Sequence, residues 1–275
     1  MKSQLVFFLC LPVLGVASFA VCQSNSAVTS KSQTTATGTI QLTPIKQLRR
    51  GVDAWPLIVN PSTAAETRVN ATLTQLNLKL TQDLSECDQN YLAWFKELGE
   101  AAQGKPSTSG DWERKVKVTM SGPRFLSIME RDEVFCGGAH PDTDIVAIVF
   151  DMTTGEPVNW SALLPKSAKA SVYRDTVSDG STVEGLIFPD IQKIYIAAAD
   201  AECKDIFQDP HAFLFWPDAK SGTLAVQVFD LPQVVQACAK EIGLTMEQAR
   251  KLGFDESLLS AIEHAHRRIA ATPKP

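Results

Sequence analysis

Apolar positions recur along this chain with two different periods, and the change from one to the other divides it. Ala65, Val69, Leu73, Leu76, Leu80 and Leu84 follow at steps of four and three, the spacing that gathers side chains on one face of an α-helix. Asn60 and Pro61 come just before, then Thr63 and Glu66 at capping-box spacing. There a hydroxyl and a carboxylate satisfy amides that the first turn leaves open, so the helix is predicted to start at that point. Cys87 is expected just past its end, with Tyr91 to Leu98 adding a short helix before a loop from Gly104 to Gly110.

From Trp112 the period falls to two. Trp112, Val116, Val118 and Met120 share one face, and Glu113, Lys115, Lys117 and Thr119 the other, the alternation of a half-buried antiparallel strand. Gly122 and Pro123 make a turn, Phe125 to Phe135 returns as a second strand, and Ile145 to Phe150 is a third, central one closed by a turn at Thr154 and Gly155. Three sequential strands of this kind form a meander. Upstream, Val52 to Val59 reads as an edge strand, where the missing amide of Pro56 is tolerated. Downstream the pattern is mixed: helices over 159–164 and 187–201, a hairpin of Phe213–Trp216 and Thr223–Phe229 about a turn at 217–222, and terminal helices over 232–242, 245–252 and 256–269. Helices interleaved with antiparallel strands predict an α+β fold, a meander sheet packed with helices and preceded by a small strand-helix subdomain. The expected boundaries are 48–110 for the subdomain and 111–270 for the main domain.

The first residues belong to neither. Lys2 is followed by an apolar run from Leu5 to Val16, and Ser18 and Ala20 flank Phe19, the charged, apolar, small-x-small order of a secretory signal over residues 1–20. The run falls short of the roughly 20 residues needed to span a bilayer. Lipid attachment at Cys22 is the disfavoured alternative, because Val21 stands where such signals take Gly, Ala or Ser. Residues 21–47, rich in Ser, Thr and Gln, read as a disordered tether. The expected location is periplasmic or secreted, with a membrane-anchored lipoprotein as the alternative, and no transmembrane segment in the mature protein.

An exported chain changes the reading of its cysteines. Cys87, Cys136, Cys203 and Cys238 form an even set, which in an oxidising compartment reads as two disulfides with three possible pairings. The sequential pairing closes the shortest loops and is the expected one. Zinc is disfavoured, since no two of the four stand two to four residues apart. With 26 Lys and Arg against 31 Asp and Glu and a net charge of −5, nothing points to nucleic acid. A weakly acidic surface favours a basic partner.

The most distinctive stretch is Phe135-Cys136-Gly137-Gly138-Ala139-His140-Pro141. Paired glycines permit positive φ or close backbone approach, and His140 before Pro141 is held extended. The loop reads first as a tight connection beside a disulfide, with His140 bonded to backbone, and second as a rigid ligand loop with Gly137, Gly138 and His140 as its binding residues. His140, Asp142 and Asp144 alternate, which on a strand would aim them to one face as a metal or catalytic site. Pro141 and Thr143 favour a loop, so neither metal, cofactor nor catalytic residue is predicted. His264 and His266 point to different faces of the last helix and, with Arg267 and Arg268, read as a solvated helix end. Phe213, Phe215 and Trp216 read as core before they read as a sugar-binding groove.

The run Gly137-Gly138-Ala139-His140-Pro141, a strand ending in Phe150-Asp151, the Thr154-Gly155 turn and a short helix ending in Leu163-Leu164 together resemble an extracytoplasmic domain family of unknown function. Its members include the outer part of the lysozyme-sensing anti-sigma factor RsiV and the non-catalytic region of the peptidoglycan deacetylase PdaC. The Trp-Pro strand and Asn-rich helix from Trp55 to Leu84 resemble the smaller domain that precedes it, so the resemblance spans about Val52 to Phe229. It implies an α+β envelope module with lysozyme or another peptidoglycan-related protein as partner. The chain departs from the family's better-known members: it shows neither a sigma-binding segment nor a His-x-x-x-His pair, and Cys136 before Gly137 suggests a disulfide-stabilised variant. The expected function is that of an exported, non-catalytic binding module. The alternative is a peptidoglycan- or carbohydrate-active enzyme using His140 with Asp142 and Asp144.

Overall fold

The helical stripe folds as predicted at its start and runs further than predicted at its end. In a computed structural model of the chain, which describes residues 40–98, 109–176 and 182–271, helix α1 spans Ala64–Leu98. Its capping box is formed: the Glu66 carboxylate accepts from the Thr63 amide at 3.2 Å, and Thr63 Oγ1 accepts from the Glu66 amide at 3.1 Å. The backbone amide of Ser62 also donates to that carboxylate, which holds Glu66 below the usual carboxylate range. The expected break at Cys87 is absent, because no Gly or Pro stands between Ala64 and Leu98 to interrupt the helical hydrogen bonds. Cys87 therefore projects from the middle of α1. The leader, Cys22 and most of the tether lie outside the described residues.

The two-residue period folds as a meander inside a six-stranded sheet. It comprises β1 (Gln47–Arg49), β2 (Val52–Asp53), β3 (Asp111–Ser121), β4 (Phe125–Phe135), β5 (Asp142–Asp151) and β6 (Glu156–Pro157), hydrogen-bonded in that order. Every pair is antiparallel except β2 with β3. Of the predicted edge strand from Val52 to Val59, Val52–Asp53 forms β2 and Ile58 forms an isolated antiparallel bridge with Leu42. Beyond β2 the backbone pairs with residues 41–46: the Ala54 amide donates to the Lys46 carbonyl at 2.7 Å, Thr43 to Leu57 at 2.8 Å and Val59 to Gln41 at 2.9 Å. Side chains of α1 bond its remaining groups: Asn77 accepts from the Trp55 amide at 2.8 Å and donates to its carbonyl at 3.0 Å, and Asn70 does the same for Ile58 at 2.7 and 2.9 Å. Two asparagines one helical heptad apart thus satisfy the backbone groups of Trp55 and Ile58 on the side facing α1.

The mixed region forms a second sheet. β7 (Ser171–Thr176), β8 (Thr182–Ile187), β9 (Ala212–Asp218), β10 (Thr223–Val228) and β11 (Ile242–Leu244) pair antiparallel in the order β11-β10-β9-β8-β7. The hairpin of β9 and β10 was legible; β7, β8 and β11 were not. The helix expected from 187 is α2 (Pro189–Ala198), and that over 232–242 is a 3₁₀ turn, Gln233–Cys238, leading into β11. The terminal helices are α3 (Met246–Lys251), capped by Thr245, and α4 (Glu256–Ala271). The fold is α+β, with two sheets where one had been expected.

The first sheet is covered on both faces. One face holds Trp112 and Val134, directly opposite each other in the register, and these cluster with Leu80, Leu84 and Cys87 of α1. From the other face Arg131 of β4 reaches Gln227 of β10 at 3.2 Å. β9 is buried along its whole length, so Phe213, Phe215 and Trp216 are core and line no sugar groove. Thr119 departs from its predicted exposed face: the register shifts between Val118 and Met120, turning Thr119 inward, where its hydroxyl lies 2.6 Å from that of Ser127.

Candidate functional site: an acidic cleft beside the glycine pair

The cysteines pair as Cys87 with Cys136 and Cys203 with Cys238, the sequential arrangement. Disulfides of this kind persist in oxidising compartments, so the described domain is non-cytoplasmic. Among the described residues no helix is long and apolar enough to cross a membrane.

The first bridge assembles a site. On α1, Asp83, Glu86, Cys87 and Asn90 stand at i, i+3, i+4 and i+7 and share one face. The bridge ties that face to the residue just before Gly137. Together with Trp112, Val134, His140 and Asp142 they line a cleft of about 200 Å³. Its rim is acidic. Glu86 and Asp142 are exposed, while Asp83 is 7% exposed and ion-paired with Lys79 one turn earlier. Asp142 also borders a shallow groove of about 470 Å³ to which Asp144, Asp175 and Asp230 contribute, extending the acidic surface past the end of β5.

The predicted loop forms one wall of the cleft, and its glycines are architecture. Gly137 has φ +97°, and a Cβ placed there would lie 2.7 Å from Trp94 Cβ, so both the backbone conformation and the space require glycine. Trp94 packs edge-on against Phe135 with centroids 5.2 Å apart, and Tyr91 joins them at 5.8 and 6.2 Å. Gly138 has φ +111° in open space and needs glycine for conformation alone. His140 is exposed, as expected of a loop residue; Nδ1 lies 3.0 Å from the Pro141 carbonyl and 3.8 Å from Asp142. Among the described residues, no three His, Cys, Asp or Glu side chains come together where they could hold a metal ion. Asp144 shares the strand with Asp142 but lines the groove, away from the cleft.

Beneath the same helix lies a feature that the alternation concealed. Arg114 has the parity of Trp112 and Val116, and it is fully buried. Its guanidinium sits 2.9 Å from Asp132, 3.6 Å from Glu130 and 5.0 Å from the centre of the Trp55 ring. Both carboxylates are buried on β4, on the face that also carries Trp112 and Val134. A buried charge group of this size holds together only as a unit, because removing one partner leaves the others buried and uncompensated.

Of the remaining candidates, His264 is exposed, but His266 is half-buried with Nδ1 3.0 Å from the Ala219 carbonyl, so the end of α4 is less solvated than predicted. Cys203 and Cys238 tie the segment after α2 to the 3₁₀ turn before β11. Asp83, Glu86, Asn90 and Trp112 were missed as site residues. Their signal was the polar i, i+3, i+7 face flanking Cys87.

No protein-family model matches the chain, and no curated protein matches it significantly. A crystal structure of a DUF3298 family member from Bacteroides fragilis NCTC 9343 shares its fold. The TM-score is 0.50 at 10% identity, and the match covers 82% of this chain and 96% of that one. At this identity the likeness concerns the fold alone, which is that of an uncharacterised domain family.

Proposed function

We propose that this chain is an exported cell-envelope protein, carried out by the leader over residues 1–20, and that it acts as a non-catalytic binding module for a basic protein. Lysozyme or another peptidoglycan-active protein is the partner to which the resemblance to RsiV and PdaC points. The observation that carries the reading is the convergence of Asp83 and Glu86 from α1 with Asp142 from β5 on a cleft whose wall is held by a disulfide and an aromatic clamp. The exposed carboxylates of Glu86 and Asp142 on a rigid rim speed encounter with a basic surface, and preorganisation lowers the ordering cost of binding. The fold shared with a DUF3298 member supports the placement in an uncharacterised domain family.

The test is a lysozyme assay on a suspension of bacterial cell walls, run with increasing amounts of the purified chain at low ionic strength. Inhibition is expected, and it should weaken between about 0.01 and 0.15 M salt as the screening length falls from about 30 to about 8 Å. Absence of both inhibition and binding at the lowest salt would remove lysozyme as the partner.

A further inference from the structure

A groove of about 400 Å³ runs along α4 from Ser257 and Ser260 in its first turns to Arg268, between the helix and the β3–β4 turn. Its charged lining consists of Arg124, Arg267 and Arg268, with His264 beside them, and no carboxylate lines it, although the chain as a whole carries a net charge of −5. Arg124 is oriented by Asp151 at 3.0 Å and by the Thr153 hydroxyl at 3.0 Å. Arg267 is exposed and makes no ion pair or hydrogen bond among the described residues. The floor is apolar, made by Met120, Pro123, Ala261 and Ala265. A second hollow, of about 360 Å³, shares Met120, Ala265 and Arg268 with the first and continues along α4 to Ile269, whose side chain is 51% exposed.

Compensation of the helix dipole accounts for Arg267 and Arg268 in the last turns of α4. It accounts for neither Arg124, which comes from the β3–β4 turn, nor the apolar furrow beneath the cations. Cations along one side of an apolar channel match a molecule with an anionic head and a hydrocarbon body. Arginine forks suit phosphate oxygens, and the two hollows in line suit an extended chain rather than a compact anion. We propose that the α4 groove binds an anionic phospholipid, with its phosphate held by Arg124, Arg267 and Arg268 and its acyl chain lying over Met120, Ala261 and Ala265. This surface is separate from the acidic cleft and does not depend on the function proposed for it.

Flotation of the full chain with vesicles of phosphatidylcholine alone and of phosphatidylcholine with phosphatidylglycerol tests the charge requirement, and titration with monomeric short-chain phosphatidylglycerol tests the groove. Binding is expected to the anionic vesicles and the monomer, and not to phosphatidylcholine. Arg267→Ser/Arg268→Ser, which removes two charge-assisted contacts, should weaken both by at least tenfold. Ala261→Phe fills the floor while keeping the cations, and should weaken binding of the monomer by a similar factor. Unchanged thermal unfolding of both variants verifies that they fold. The proposal is overturned if the double arginine variant binds as wild type does, if Ala261→Phe leaves the monomer's affinity unchanged, or if inorganic phosphate competes as well as the lipid.

Discussion

Replacing both cysteines of the first bridge, as Cys87→Ala/Cys136→Ala, should cost the fold about 4 kcal/mol. The bridge closes a loop with a sequence separation of 49; constraining such a loop in the unfolded chain removes about 14 cal/mol/K, or about 4 kcal/mol at 25 °C. For a domain of this size that corresponds to a fall in Tm of about 8–16 °C. The second bridge closes a separation of 35, and because the dependence is logarithmic its removal should cost nearly as much, about 3.8 kcal/mol. Near-equality of the two variants is the discriminating feature, since their surroundings differ: at Gly110 a Cβ would come within 2.6 Å of Cys87 Sγ, so that sulfur is closely packed. Thermal unfolding followed by far-UV circular dichroism, on oxidised wild type and each double variant, reads both values. A fall of less than 3 °C for the Cys87 pair would refute the closure argument, and a much larger loss there than at Cys203 would mean that packing dominates.

Three further outcomes follow from the interior. Arg114→Met takes the cation from between Glu130 and Asp132, and breaking a buried charge group by one partner costs about 3–5 kcal/mol, read as a lower urea midpoint; a midpoint equal to wild type would contradict the assigned pairing. Asn77→Leu strands the Trp55 amide and carbonyl and should cost about 2–3 kcal/mol, with faster hydrogen exchange at Trp55; unchanged exchange would show that other groups hold this segment. Burial pushes the Tyr195 phenol up to about 12, above its value of about 10 in an unfolded chain. Its neutral form therefore contributes stability that is complete below pH 10 and is lost as pH rises from 10 to 12, about 2–3 kcal/mol in all. Tyr195→Phe should flatten the fall of stability across that window, and equal slopes for variant and wild type would refute the assignment.

Legibility followed the range of the interactions. The stripe of α1 and the alternation of β3 are local patterns, and both appear where the sequence puts them. The disulfide pairing was legible because short loops close at least cost. Arg114 was not, since a charged residue in an alternating strand reads as solvent-facing until Asp132 and Glu130 are placed opposite it. The second sheet escaped because β7 and β8 are short and β11 has three residues; their pairing is set by tertiary contact. The site was half legible: the glycine pair marked one wall, while the other comes from α1, about fifty residues earlier in the chain, joined to it by the 87–136 bridge.

Calorimetric titration of lysozyme into the wild-type chain and into Glu86→Gln/Asp142→Asn, at low ionic strength, tests most directly whether the acidic cleft is a docking site for a basic protein. Both side chains are exposed, so the double variant should unfold at the wild-type temperature while binding at least tenfold more weakly. Equal affinity of the two proteins, or no binding by wild type, would contradict that role for the cleft.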